Sequence, residues 1–478
     1  MHHRSPTATT PYSLPPTTYL LFLLLALALR WGSFFPSVID HDESTYIVIA
    51  GELLRGEVYL RDLIDTKPIG IFWVYAVLIK LTGGSIVALR VAAAAVVALG
   101  AWLVARIVNR TSGTAAGGYV AGTVYLFMTS VFKHYGVAPN TEIFFNCFTI
   151  AAVGITVASG DKRWFLAGLL LGAGFVIKPF VAAEALAIGL YLVWYYRREP
   201  GRMIGKGLLL VGGFLLPVAG MVAYFAARGL LPELWFYGVE VSRGYASELT
   251  AGQRAIFVGD YFLRYAPLII LGAVAQVRGK FGAKQRRFLV YLLLQCVLVT
   301  VVVLLTGKRF GHYQVQLHPI VALWVGTTVG VAFPRTLARR WIAVAVVLMA
   351  LAMGFVHYFY YRDKIDAPRI IADYLSPRLA PDETFFTISG SQIAYHLLDR
   401  PSPLPYIHPS LLFMEYHRAN FGIDEQLMAE RILDDPSVRY VIGNLRDPAL
   451  TSDLVQRLLT DFEEYERLED DLIVYRRR

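Results

Sequence analysis

Asp40, Asp42 and Glu43 follow the first apolar run of the chain, and Asp62, Asp65 and Lys67-Pro68 come some twenty residues later. Past further apolar runs stand Lys133, His134, Asn140 and Glu142, then Lys178-Pro179, then Glu240 and Arg243. Lys308, Arg309, His312, Tyr313 and His318-Pro319 form the last group. Carboxylates beside cations can move protons and hold anions. Ionisable groups at a lipid boundary are costly, and those that face a cavity tend to serve function. Any one of them reads equally well as a solvated loop charge. The set does not, because Glu142 opens an apolar run and Lys178 sits in a tight turn, places with no other call for charge. His134, His312 and His318 match no standard metal-ligand spacing, so no metal or other cofactor is expected. No Walker lysine, phosphate-cradling Gly-rich loop or nucleotide fold is visible.

The elements that position these residues are set by lipid. The 478 residues are 56% hydrophobic and only 17% charged, against roughly 25% charged in soluble proteins, and the mean hydropathy is +0.50. Such an apolar excess cannot all be core. Eleven apolar runs are expected to span a bilayer: 18–35, 85–108, 114–130, 142–159, 163–177, 180–196, 207–227, 256–277, 288–306, 315–333 and 341–361. The net charge of +9 does not indicate nucleic acid. The tail from Arg362 carries about 21 acids and about 14 bases, so the excess of bases lies in short loops between apolar runs. With the N-terminus inside, about 16 bases fall in inner loops and about 7 in short outer ones, the positive-inside pattern of a cytoplasmic (inner) membrane protein. All the groups above then face outward, Lys178-Pro179 in the tight turn that joins two short runs. The first run reads as an uncleaved helix, since Arg4 is the only fixed charge before it.

Residues 36–84 form a long outer loop. Its stretch 44–55 places Tyr46, Ile49, Ala50, Leu53 and Leu54 on one helical face. Its apolar run 69–81 is too short to span, and spanning would turn every later basic loop outward. Both read as interfacial helices. The tail, 362–478, reads as a small extracytoplasmic α/β domain: strands at 385–389, 440–442 and 472–475, helices at 367–375, 424–433 and 452–465. Cys147 and Cys296 lie in apolar runs and read as small buried hydrophobes.

The pattern Asp42-Glu43-x-x-Tyr46-x-x-Ile49-Ala50, then Lys67-Pro68 and an apolar-aromatic run, resembles the first outer loop of type C membrane glycosyltransferases. The nearest branch is that of protein O-mannosyltransferases and lipid A aminoarabinose transferases. Asn140-Thr141-Glu142 resembles that branch's second acid. The segment 236–243, ending in Arg243, resembles one that carries a phosphate-binding arginine, and Gly311-His312-Tyr313-Gln314 one with a phosphate-binding tyrosine. The motifs keep their order over about 320 residues, while the tail matches only in placement. The resemblance implies inverting transfer from a polyprenyl-phosphate sugar to an acceptor hydroxyl of a glycolipid, an envelope glycan or a protein. Asp42 is then the base and Glu43 the neighbour most easily confused with it. Glu142 orients the acceptor or holds the base. Lys67, Arg243 and Tyr313 bind the phosphate, and charge and side add Lys178, Arg309 and His312. Two departures stand out. Thr45 occupies a position where aminoarabinose transferases often carry arginine, and Lys67-Pro68-Ile69 replaces Lys-Pro-Pro. A transporter or flippase of lipid-linked glycans is the alternative; such proteins usually carry ionisable groups near the midplane and internal repeats, and neither is apparent.

Overall fold

The computed structural model describes residues 14–159, 162–241, 249–333, 339–388 and 390–478. Each expected apolar run coincides with helix. In chain order the helices up to the tail are α1 (Thr17–Arg30), α2 (His41–Arg55), α3 (Gly70–Thr82), α4 (Ile86–Ser112), α5 (Ala115–Ser130), α6 (Thr141–Thr156) and α7 (Trp164–Ile177). They continue with α8 (Ala182–Tyr196), α9 (Pro200–Ala226), α10 (Ala251–Arg264), α11 (Ala266–Arg278), α12 (Ala283–Leu305), α13 (His318–Ala332) and α14 (Arg339–Arg362). Among the described residues five helices are long and apolar enough to cross a membrane, and a sixth span results if α10 and α11 count as one. Shorter apolar helices are α1, α3, α6, α7 and the stretch Val346–Arg362 of α14.

The run at 256–277, expected to be one continuous span, is two helices bent by 74°. The break falls at Tyr265, and Pro267 sits in the first turn of α11. Proline has no N–H for an i→i−4 bond and disfavours helix in the residue before it, so the chain restarts rather than continues.

Large apolar side chains lie exposed on α9 (Leu208, Leu215, Leu216), α12 (Leu293, Val297, Leu305) and α14 (Leu348, Phe355). In water this would forfeit about 25 cal/mol per Å² of apolar surface; in lipid it costs nothing. Lipid also removes the hydrophobic drive between helices, so close approach must hold them. α7 and α9 meet backbone to backbone, where a Cβ on Gly168 would lie 2.8 Å from the Phe214 nitrogen.

Two buried arginines tie the ends of these helices to the loops beside them. Arg30, at the end of α1, donates to the carbonyls of Thr129 (2.9 Å), Gly136 (2.8 Å) and Val137 (2.6 Å). It thereby satisfies acceptors that the end of α5 and the following turn leave open. Arg90 of α4 grips Glu43 through both carboxylate oxygens (2.8 and 2.9 Å) and also donates to the carbonyls of Ser33, Pro36 and Ser37.

After α14 the chain forms a helix, α15 (Ala367–Leu375), and a four-stranded sheet, β1 (Thr384–Thr387), β2 (Val438–Asn444), β3 (Phe462–Arg467) and β4 (Leu472–Arg477), in the order β1-β2-β4-β3. β1 and β2 are parallel; the other pairings are antiparallel. Residues 452–465, expected as one amphipathic helix, are instead a short helix, Asp453–Leu458, followed by β3. Glu463, Glu464 and Glu466 are good helix formers locally, but pairing with β4 overrides that preference, and the same charges suit an edge strand.

This unit docks on the first loop. Ile64 N–H donates to the Pro405 carbonyl (2.8 Å). Gln392 donates to the His41 carbonyl (3.1 Å) and to Thr45 Oγ1 (3.2 Å). His396 meets the Gly84 carbonyl at 2.7 Å, and Arg55 pairs with Asp399 at 2.5 Å.

Candidate active site

Asp42 sits in the first turn of α2, whose N-cap, Asp40, accepts the Asp42 N–H at 2.9 Å. The cap fixes the start of the helix, and with it the direction of the Asp42 side chain. Lys67 is presented by the turn that precedes α3. Tyr59 OH donates to the carbonyls of Asp65 (3.0 Å) and Lys67 (2.5 Å), and Asp65 Oδ1 accepts the Lys67 N–H (3.1 Å). Leu60, just upstream, holds a left-handed φ of 70°, a strained conformation for a branched residue. The two elements put Lys67 Nζ 2.6 Å from Asp42 Oδ1.

Two histidines complete the surroundings of Asp42. His312 Nε2 lies 3.9 Å from Oδ2, and His408 Nε2 lies 3.6 Å from Oδ1. Burial alone would raise the Asp42 carboxyl, but Lys67, with His312 and His408 behind it, outweighs burial and holds it well below the usual carboxylate range.

A second ion pair stands beside the first. Glu142, in the first turn of α6, pairs with Lys178 and accepts from Thr141 Oγ1 at 3.0 Å. Lys178 occupies the break between α7 and α8, where Pro179 prevents the helix from continuing. Its ammonium lies 4.2 Å from the Tyr313 ring centroid and 4.7 Å from that of Phe180, within cation–π range. Tyr313 packs edge-on against His312 at 4.7 Å, so the segment Gly311–Leu317 links the two ion pairs. Asn140, capping α6, is buried, and its side-chain amide has no hydrogen-bond partner, which leaves unspent polarity next to Glu142.

The structure thus brings together Asp42, Lys67, Glu142, Lys178, His312 and Tyr313. Arg309 is exposed on the adjoining loop. Arg243 lies outside the described residues, although the neighbouring segment Phe236–Glu240 is a π-helix, a feature that concentrates at functional sites. Glu43, the neighbour most easily confused with Asp42, has a different partner. It is buried in its bidentate pair with Arg90 and so faces away from Asp42, as adjacent helical residues about 100° apart must. Sequence reasoning missed His408, which arrives from the tail; only its approach to Asp42 in the folded chain reveals it. The three histidines weighed as metal ligands are dispersed: His134 is exposed near Asp40 at 3.6 Å, while His318 is buried against Tyr261 and Tyr265. No group of three or more His, Cys, Asp or Glu able to hold a metal occurs among the described residues.

Residues 66–224 match the family model described as dolichyl-phosphate-mannose-protein mannosyltransferase. The chain is 27% identical over 249 residues to an undecaprenyl phosphate-alpha-4-amino-4-deoxy-L-arabinose arabinosyl transferase of Sodalis glossinidius, covering 49% of this chain and 43% of that protein. It is 26% identical over 276 residues to the Aeromonas salmonicida enzyme of the same name, covering 54% and 47%. The matched region thus spans less than half the length of these curated relatives. Among solved structures, ArnT from Cupriavidus metallidurans in the apo state superposes with a TM-score of 0.68 at 14% identity, over 95% of this chain and 97% of that one. The archaeal oligosaccharyltransferase AglB from Archaeoglobus fulgidus, in complex with an inhibitory peptide and a dolichol-phosphate, gives 0.52 at 11% identity, over 97% and 74%. Motif order, family-model match and fold agree: this multi-pass membrane protein has the fold of the type C membrane glycosyltransferases, and its first half resembles the branch of the protein mannosyltransferases and lipid A aminoarabinose transferases.

Proposed function

We propose that the protein is an inverting glycosyltransferase that moves a sugar from a polyprenyl-phosphate donor to an acceptor hydroxyl on the outer face of the inner membrane. The observation that carries this reading is the Asp42–Lys67 pair, a carboxylate and an ammonium 2.6 Å apart with the Glu142–Lys178 pair beside it.

Polyprenyl phosphate is a good leaving group, so no strong general acid is required, unlike glycoside hydrolysis with its two carboxylates. Asp42 takes the proton of the acceptor hydroxyl. The acceptor oxygen bonds to the anomeric carbon from the side opposite the phosphate. The bond from that carbon to the phosphate oxygen breaks, and its electron pair leaves with the phosphate. Lys67, Lys178 and Tyr313 neutralise and orient the phosphate as charge grows on it, with Arg243, Arg309 and His312 as further candidates. In the donor-free site Lys67 neutralises Asp42. A bound phosphate competes for that ammonium, so the carboxylate regains basicity only when the donor is present.

Thr45 bears on which sugar is carried. It is buried, its hydroxyl donates to the His41 carbonyl (2.9 Å) and it accepts from Gln392. The phosphate contact that an arginine would make here is either missing or replaced, with Arg309 as the candidate, and this argues against aminoarabinose as the sugar. The acceptor is a glycolipid, an envelope glycan or a protein.

Single-turnover transfer from a synthetic polyprenyl-phosphate sugar tests the reading. Asp42→Asn keeps size and polarity but cannot take a proton, so transfer should fall by about 10²–10⁴-fold while donor binding survives. Asp42→Asn that transfers at the wild-type rate would remove Asp42 as the base.

A further inference from the structure

His408 belongs to the tail, yet its Nε2 lies 3.6 Å from Asp42 Oδ1, the same oxygen that Lys67 holds at 2.6 Å. Its other ring nitrogen is committed. The Ser410 backbone N–H donates to His408 Nδ1 at 3.2 Å, and Ser410 Oγ lies 2.7 Å from the same atom. A backbone N–H can only donate, so Nδ1 carries the lone pair and the proton of the neutral ring is on Nε2, facing the carboxylate.

The segment that delivers His408 is anchored on both sides of the site. Upstream, the Pro405 carbonyl accepts the Ile64 N–H from the loop that carries Asp65 and Lys67, and Ile64 shares a buried cluster with Leu411 and Phe421. Downstream, the Tyr416 ring lies 4.4 Å from the Lys308 ammonium, at the start of the segment that carries His312 and Tyr313. The tail is therefore fastened to both elements that frame Asp42, and the histidine sits between the fastenings.

We propose that His408 is a positioning residue for the base: its Nε2–H takes over Asp42 Oδ1 when Lys67 turns to the donor phosphate. This rests on the glycosyltransferase reading. A distance of 3.6 Å is longer than a hydrogen bond, and catalytic contacts in ligand-free sites are often long and tighten on binding. Without His408, loss of Lys67 to the phosphate leaves Oδ1 with no donor to orient it. The carboxylate then samples rotamers in which its free oxygen no longer points at the acceptor. The outer domain is in this view part of the catalytic site and not a cap upon it.

The experiment uses the full chain and three variants. In His408→Gln the amide N–H falls near the position of Nε2–H, in His408→Asn it falls near Nδ1, and in His408→Ala it is absent. Turnover should drop about tenfold or more in Ala and Asn, the donor KM should stay within about twofold, and Gln should recover most of the rate. Wild-type turnover in Ala, or an equal loss in all three with a raised KM, overturns the proposal. Side-chain 15N spectra of the histidines, without donor, give a readout independent of transfer. The resonance missing in His408→Gln should show an unprotonated Nδ1 and should move in Asp42→Asn. A resonance indifferent to Asp42→Asn overturns the contact itself. A coupled resonance in a wild-type protein that transfers nothing from any polyprenyl-phosphate sugar supports the contact and overturns the glycosyltransferase reading instead.

Discussion

Asp42 and Glu43 are neighbours with opposite surroundings, and the difference shows how far a sequence can be read at the level of the residue. Both were legible as candidates because acids at a lipid boundary need a reason. The resemblance singled out Asp42 as the one to face the site; the reason Glu43 does not is Arg90, 47 residues away in sequence. Arg30 and His408 were missed for the same reason: their partners at 129–137 and at 42 are distant in the chain. Lys67, Glu142, Lys178, His312 and Tyr313 could be named because each stands in a short motif or an odd place, and all are brought together. Glu43 and Arg90 form a buried bidentate pair whose arginine also satisfies three carbonyls. Breaking a buried pair by deleting one partner costs about 3–5 kcal/mol, mostly from the charge left behind. Arg90→Ala should therefore lower the folded yield and the melting temperature of detergent-solubilised protein. The specific activity of the molecules that still fold should stay near wild type. A stable but inactive Arg90→Ala would place the Glu43–Arg90 pair in the chemistry.

At the scale of the element, the informative features are the interruptions. Lys178-Pro179 is legible as a break because proline cannot continue α7, and the structure shows its use: the gap presents an ammonium to Glu142 at the head of α6 and to the face of Tyr313. The break between α10 and α11 and the strand β3 were not legible. In both places local preference, an apolar run in one and helix-forming acids in the other, yields to backbone constraints set by Pro267 or by pairing with β4. The Glu142–Lys178 pair should behave as a unit. Lys178→Met alone leaves a buried carboxylate unpaired and should lower stability, whereas Lys178→Met combined with Glu142→Gln removes both charges and should regain most of the lost stability. Transfer should stay low in the double variant, because the phosphate then lacks an ammonium. A double-mutant cycle on melting temperature and on single-turnover transfer reads both quantities. Restored transfer in the uncharged double variant would take Lys178 out of the phosphate clamp.

At the scale of the whole molecule, the asymmetry of bases predicts that reporter fusions after Arg287 and Arg340 read as cytoplasmic and a fusion at Arg478 as external; an internal signal at Arg478 would mean an even number of spans in place of eleven. The same scale governs how the tail is held against the membrane domain. His417 is buried and lies against Tyr416, ring centroids 4.1 Å apart and tilted by 35°. Burial, with His408, Lys67 and Lys308 nearby, pushes its pKa down to about 3. His408 is lowered as well, by burial and by Lys67, with Asp42 and Asp65 pulling the other way. If the tail lifts away, both rings reach water and return toward the usual value of about 6.5. The docked state then binds fewer protons than the undocked one below that pH. Its stability is fully present above about 6.5 and is lost progressively as pH falls toward 3. Asp42 acts in a different window: its carboxyl is held low, so its contribution is lost only below about 3.9. Between about 4 and 6.5 the histidines decide. Protection of amides in 406–417, relative to the intrinsic exchange rate at each pH, should therefore be high at neutral pH and lower near pH 5, while the apolar helices stay protected. His417→Gln cannot titrate and should shrink the acid response. Equal protection of 406–417 at both pH values would mean that the histidines do not govern how the tail is held over Asp42.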